Sequence, residues 1–192
     1  IRITCFSVSI GEYCFCFNGE IYSDRKGPIS DQGFDSDTHY LWNSLNHFGP
    51  SIFLKEIIGE YAFSLFDKKD EVLYLGVDTY GVKPLYYSLS PWGVSFSSSL
   101  RDCWENIRIV EDLPLQPPQI DYSQIGEYIL FRSFSSFRTG YNRINKLMPG
   151  EVISFDTKTK SKKSRSLSKY DDQLNGSDFN QLAQVCSDLV ES

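Results

Sequence analysis

Tyr13 to Ser23 reads YCFCFNGEIYS, and the reading of its central Asn18-Gly19 pair decides what kind of fold the chain forms. On local grounds the pair is the tip of a β-hairpin. Asn-Gly accepts the positive φ angles of a two-residue turn, and aromatic and aliphatic residues flank it on both sides. A second reading starts from chemistry. An Asn carboxamide and the next residue's backbone N–H can point the same way and donate together to one oxygen, which suits an oxyanion that needs its donors placed in advance.

Around this stretch, 192 residues that are 41% hydrophobic and 15% aromatic carry charges of both signs, enough for one good core or a core plus part of another. A net charge of −6 gives no general positive field for phosphate, so a small or neutral ligand is expected as partner and nucleic acid is not. No apolar run approaches the roughly 20 residues that cross a bilayer, and no basic stretch followed by an apolar core opens the chain. A soluble, cytoplasmic protein without membrane contact is expected. The cysteines, Cys5, Cys14, Cys16, Cys103 and Cys186, are odd in number and lie in apolar surroundings, which fits reduced thiols. The chain begins at Ile1 within a strand-like run and stops within a helical pattern, so it is expected to be a fragment.

Short β-prone runs fill Tyr13 to Ser99, among them YAFSLFD and EVLYLGVD, which read as a hairpin across Lys68-Lys69-Asp70. One helix, Thr38 to Phe48, places Leu41, Leu45 and Phe48 on one face, with Gly49-Pro50 predicted to stop it. The prolines of EDLPLQPPQID deny regular structure and predict a domain boundary at 108–121. Beyond it come a helix near Ser123 to Phe131, a strand Glu151 to Asp156, a basic segment read as a solvated loop, and a helix from Ser177 with Phe179, Leu182, Cys186 and Leu189 at helical spacing.

Each candidate residue has a plain structural role beside a chemical one. Asp37, at the mouth of the first helix, caps free amides or receives a substrate ammonium. Asp78 satisfies turn amides ahead of Tyr86 and Tyr87, which pack on opposite faces, while Lys83 sits in no GxxxxGK[ST] loop. Cys14 and Cys16 share a strand face, but with His39 and His47 eight residues apart on a helix they make no metal site.

In this order along the chain, FNGEIYS, SDT, GEYAFSLFD, VDTYGVKPLYYS and LMPGEVISFD resemble the glutamine-hydrolysing asparagine synthetase family, over nearly the whole length. The N-terminal part of that family is a class II glutamine amidotransferase of the Ntn-hydrolase type. The resemblance implies an α+β fold: a four-layer αββα sandwich, followed by the first elements of an α/β ATP-dependent synthetase domain. The domains expected are residues 1–107 for the amidotransferase, 108–121 for a linker and 122–192 for the start of the synthetase.

The activity implied is hydrolysis of glutamine by an N-terminal Cys, with ammonia passed on to an aspartate carboxylate activated by ATP with Mg2+. Asn18 and Gly19 take the oxyanion-hole role, Glu20 helps bind the glutamine, and Asp37 holds its α-ammonium. The family's Met-Cys start is absent, none of the five cysteines takes the nucleophile's place, and no SGGxDS loop for ATP occurs. The chain by itself is therefore expected to be inactive. Arg2 is the one candidate for the family's glutamine-carboxylate arginine and is not assigned. Where relatives read ARDRFG, this chain has GVDTYG from Gly76 to Gly81, so two arginines are missing. A homodimer is a possible assembly. The alternatives are a cyclising amide synthetase of the β-lactam-synthetase kind acting on another carboxylate, and a non-catalytic relative with a binding role.

Overall fold

The computed structural model describes residues 8–24, 27–28, 32–53, 57–134 and 137–166. The first helix, α1 (Asp37–Phe53), follows three strands, β1 (Val8–Ile10), β2 (Tyr13–Asp24) and β3 (Gly27–Pro28). Next come β4 (Ile58–Asp67), β5 (Val72–Val77), β6 (Tyr86–Ser90), β7 (Gly93–Ser97), α2 (Leu100–Val110) and α3 (Tyr122–Phe131). The described chain closes with β8 (Asn145–Lys146), β9 (Glu151–Asp156) and β10 (Ser161–Ser166). Among the described residues these strands form two antiparallel sheets, one in the order β1-β2-β4-β5-β9-β10 with β3 against β2, the other β7-β6-β8.

Strand alternation sorts the side chains into three apolar layers. Phe15 and Ile21 of β2 and Tyr61, Phe63 and Leu65 of β4 face α1, which contributes Tyr40, Leu41 and Leu45. Residues one step along, Ala62, Leu73, Leu75, Val77, Ile153 and Phe155, point the other way and meet Leu85 and Tyr87 of the smaller sheet. On that sheet's outer side Tyr86 and Ile144 pack under Cys103, Trp104 and Ile107 of α2. Helix, sheet, sheet and helix thus stack in the expected αββα order, and Tyr86 and Tyr87 divide between two layers as a period of two requires. Burying Leu41 or Leu45 contributes about 2 kcal/mol each.

Several expectations need correction. α1 runs through Gly49-Pro50 to Phe53 instead of stopping there. A proline forfeits one intrahelical bond, and here that loss does not end the helix. Ser36, not Asp37, caps α1: its Oγ accepts from the His39 N–H and its carbonyl from the Tyr40 N–H. Cys16 is disulfide-bonded, against the expectation of reduced thiols throughout, while Cys14 and Cys103 are free thiols.

The hairpin β4–β5 forms as expected, with the Asp67 carboxylate accepting from Lys69 and Asp70 at its turn. The boundary at 108–121, by contrast, does not divide two cores. β8 pairs with β6, β9 pairs with β5, and Leu147, Ile153 and Phe155 share one apolar layer with Leu73 and Leu75. The segment instead lies along α2, where the Trp104 indole donates to the Gln116 carbonyl at 2.9 Å. Part of the basic run is strand β10, in register with β9 from Ser161 opposite Asp156 to Ser166 opposite Glu151, and not a loop. Its Lys162 ammonium reaches the Tyr87 hydroxyl at 2.6 Å. The helix expected from Ser177, and Arg2, lie outside the described residues.

Candidate active site

Asn18 and Gly19 lie in the middle of β2, opposite Ala62 and Tyr61 of β4, and not at a hairpin tip. Two glycines permit this pairing. A Cβ on Gly19, whose φ is +145°, would sit 2.0 Å from the Glu60 carbonyl oxygen, and one on Gly59 would sit 2.3 Å from the Glu20 carbonyl oxygen. Close backbone approach, more than turn geometry, explains why a residue without a side chain follows Asn18.

The direction of the Gly19 amide follows from its partner. Tyr61 turns both backbone groups toward the β5 side: its N–H donates to Asp78 Oδ2 at 3.2 Å and its carbonyl accepts from the Asp78 N–H at 2.8 Å. In an antiparallel ladder N–H and C=O of one residue share an edge, so Gly19 and Tyr61 form a non-hydrogen-bonded pair and the Gly19 N–H points away from β4. Two residues on, Ile21 points to the same edge, where its N–H donates to Asp37 Oδ2 at 2.8 Å. The fold therefore brings the SDT segment onto the NGE segment: the half-buried Asp37 carboxylate and the Gly19 N–H share one strand edge, about 7 Å apart. Among the described residues, no strand pairs with that edge between Cys16 and Tyr22. Glu20 is exposed on β2 directly opposite Glu60. Desolvation, then the Glu60 and Glu20 carboxylates, push the Tyr22 phenol above its usual value.

Asp78 anchors the arrangement from behind. Fully buried, its carboxylate accepts from the N–H groups of Tyr61, Tyr80, Val82 and Lys83, the plain turn-organising role the sequence favours. Burial, then the nearby Asp78 charge, push the Tyr61 phenol up to about 12. At Gly81, with φ +64°, a Cβ would stand 3.1 Å from Pro149, and the Gly150 N–H donates to the Asp78 carbonyl at 2.7 Å. The GVDTYG segment, which lacks those arginines, is thus held by the Asp78 carboxylate on the following N–H groups and by the Gly150 N–H on the Asp78 carbonyl.

On its other face, the exposed Asn18 side chain lines a cleft of 190 Å³ between the two sheets. Ser64 from β4, Leu85, Phe96 and Ser97, Ser98, and Asp102 of α2 complete the walls. None of these residues was singled out from sequence, because they gather only when the sheets stack. The residues that line this cleft include no lysine or arginine, and among the described residues no group of three or more His, Cys, Asp or Glu could hold a metal ion.

A family model described as a glutamine amidotransferase domain matches residues 5–170. The chain belongs to the glutamine amidotransferase domain family. The match crosses the expected 108–121 boundary, as the shared sheets require. Curated relatives include asparagine synthetase [glutamine-hydrolyzing] 1 of Bacillus subtilis (strain 168), 29% identical over 148 residues, 74% of this chain and 22% of that protein. A putative asparagine synthetase [glutamine-hydrolyzing] of Mycobacterium bovis is 23% identical over 145 residues, 72% of this chain and 22% of the relative. This amidotransferase domain thus spans about a fifth of the length of the relatives it matches. Among solved structures, the allosteric regulatory enzyme of purine biosynthesis aligns with TM-score 0.50 and 16% identity, covering 82% of this chain and 29% of the other, a likeness of fold. No helix among the described residues is long and apolar enough to cross a membrane.

Proposed function

We propose that this amidotransferase domain binds glutamine along the edge of β2 near Gly19 and Ile21 and belongs to a glutamine-dependent asparagine synthase. The observation that carries this reading is the Asp37 carboxylate held on the Ile21 N–H, on the edge toward which the Gly19 N–H also points. An extended glutamine laid there sets its α-ammonium at Asp37 and Glu20 and its carboxamide near Gly19 and Asn18.

Attack on that carboxamide turns its carbonyl oxygen into an oxyanion. The Gly19 N–H and the Asn18 carboxamide N–H2 are the donors that receive it. Losing one such prearranged donor typically costs about 3 to 4 kcal/mol in the barrier. A primary amide is a poor electrophile, and a thiolate nucleophile divides its hydrolysis into two easier steps. In this reading the ammonia released amidates aspartate, with ATP and Mg2+ supplying the activation of the carboxylate.

Calorimetric titration of glutamine into the 192-residue polypeptide tests the reading. Asp37→Asn keeps an acceptor for the Ile21 N–H while removing the charge, and is expected to weaken binding about tenfold or more. Unchanged affinity would refute the ammonium role. For the protein as its gene encodes it, asparagine formation from aspartate, ATP and glutamine is the expected activity, and a preference for another carboxylate would overturn the acceptor assignment.

A further inference from the structure

We infer that the exposed apolar face of α3 is a docking surface for residues 177–190 of the same chain, packed on it as a second amphipathic helix. The inference does not depend on the glutamine reading. Among the described residues α3 has no buried residue, although six of its ten are aromatic or aliphatic. It is held from one side: the Asp121 N–H donates to the Gly140 carbonyl at 3.0 Å, and Tyr128 stacks on Phe134 at 5.1 Å. Gln124, Ile125 and Glu127 are half-buried. The turn of the helix leaves Tyr122, Gly126, Ile129 and Leu130, at i, i+4, i+7 and i+8, on another face. Tyr122 is 79% exposed, Ile129 68% and Leu130 76%. A helix this short is marginal on its own and draws its stability from packing an apolar face.

Gly126 narrows the partner to another helix. In mid-helix a glycine is weaker than an alanine, and no described atom lies within 4 Å of where its Cβ would stand. No described neighbour therefore requires the missing side chain. A second helix does, because the side chains at the contact set how close two helix axes come.

Residues 167–192 lie outside the described residues, and their sequence supplies such a helix. Phe179, Leu182, Ala183, Cys186, Leu189 and Val190 fall on one face at a period of 3.6, with Ala183 as the small residue to meet Gly126. The twelve residues between Ser166 and Phe179 extend to about 40 Å, the diameter of a domain of this size, so the segment reaches α3. Ser166 stands opposite Glu151, five residues past Lys146, whose N–H donates to the Phe137 carbonyl in the loop after α3. Charge agrees as well. Residues 167–192 carry Asp171, Asp172, Asp178, Asp188 and Glu191 against Lys169 alone, while the exposed Arg132 caps one end of α3 and the exposed Arg138 acts on Asp121 at the other.

Methyl NMR of the 192-residue polypeptide tests the assignment. Nuclear Overhauser contacts from the Ile129 and Leu130 methyls to the Phe179 ring are expected, unchanged on dilution. Leu182→Asp is expected to lower the hydrogen-exchange protection of the amides of residues 128–131 about tenfold or more, leaving β4 and β5 unchanged. Gly126→Ala separates a docked helix from a bare one. On a bare helix the better helix former raises that protection about fourfold. Under a docked segment the added methyl group holds the helices apart, and protection falls. Missing Overhauser contacts, no effect of Leu182→Asp, or a rise in Gly126→Ala overturns the inference. A polypeptide that sediments as a dimer and is made monomeric by Leu130→Asp overturns it too, and gives the face to a second copy.

Discussion

Replacing Asp78 with Asn changes one oxygen for one N–H2 group in a buried site where both oxygens are in use. Oδ1 accepts from the Tyr80 and Val82 N–H groups, and Oδ2 from those of Tyr61 and Lys83, at 3.0 to 3.3 Å. An Asn can satisfy one pair only. Its amide nitrogen then faces the other pair, donor against donor, leaving two N–H groups without an acceptor. At about 1 to 3 kcal/mol for each orphaned buried donor, the loss is about 2 to 6 kcal/mol. For a chain of this length that corresponds to a fall in Tm of roughly 5 to 20 °C. Urea unfolding gives the free energy, provided the m-value is unchanged. Asp102→Asn is the surface control, expected within about 0.5 kcal/mol of the parent. A Asp78→Asn variant as stable as that control would refute the claim that the carboxylate holds β4 and the following loop together. A stable variant with glutamine affinity lost would place the role of Asp78 in the site alone.

Gly19→Ala is expected to force β2 and β4 apart, because its Cβ would lie 2.0 Å from the Glu60 carbonyl oxygen. Destabilisation of about 3 kcal/mol or more by urea unfolding is the expected result, and a loss under about 1 kcal/mol would show that the strands yield easily. Tyr61, with a phenol pushed up to about 12, makes the fold sensitive to alkali. Its folded pKa lies above the unfolded value, so the contribution is complete below about pH 10 and is lost as pH rises toward 12. Tyr61→Phe should flatten stability across that window, and an unchanged slope would assign the alkaline loss to other groups.

Much of the fold is legible as alternation and spacing. Phe15 and Phe17 against Cys14 and Cys16, Tyr86 against Tyr87, and Leu41 with Leu45 each declare a face, and each points where the period of two or of 3.6 places it. What misleads is local punctuation overruled by distant partners. Asn18-Gly19 is a strong turn signal, but Gly59, forty residues on, supplies the matching close approach that draws the pair into a long strand. The prolines after Arg108 interrupt regular structure without dividing the core, since β9 returns to pair with β5.

The site divides in the same way. Asp37 is recognisable by motif, yet only the structure shows its carboxylate on the Ile21 N–H, with Ser36 taking the capping role that sequence position offers it. Ser64, Ser98 and Asp102 carry no pattern at all, because the distance between stacked sheets is not written in any local run.

The seat of Gly81 against Pro149, and the bond from the Gly150 N–H to the Asp78 carbonyl, set an order in time. At about 5 to 20 residues per second, the ribosome needs on the order of several seconds between adding Asp78 and adding Gly150. During that interval the loop after Asp78 has no shelf to rest on, and β5 presents an unpaired edge awaiting β9. The nascent chain therefore carries its FNGE and SDT segments long before the structure that holds them is complete, and a pause in translation just ahead of Met148 would prolong the exposure of that edge to other chains.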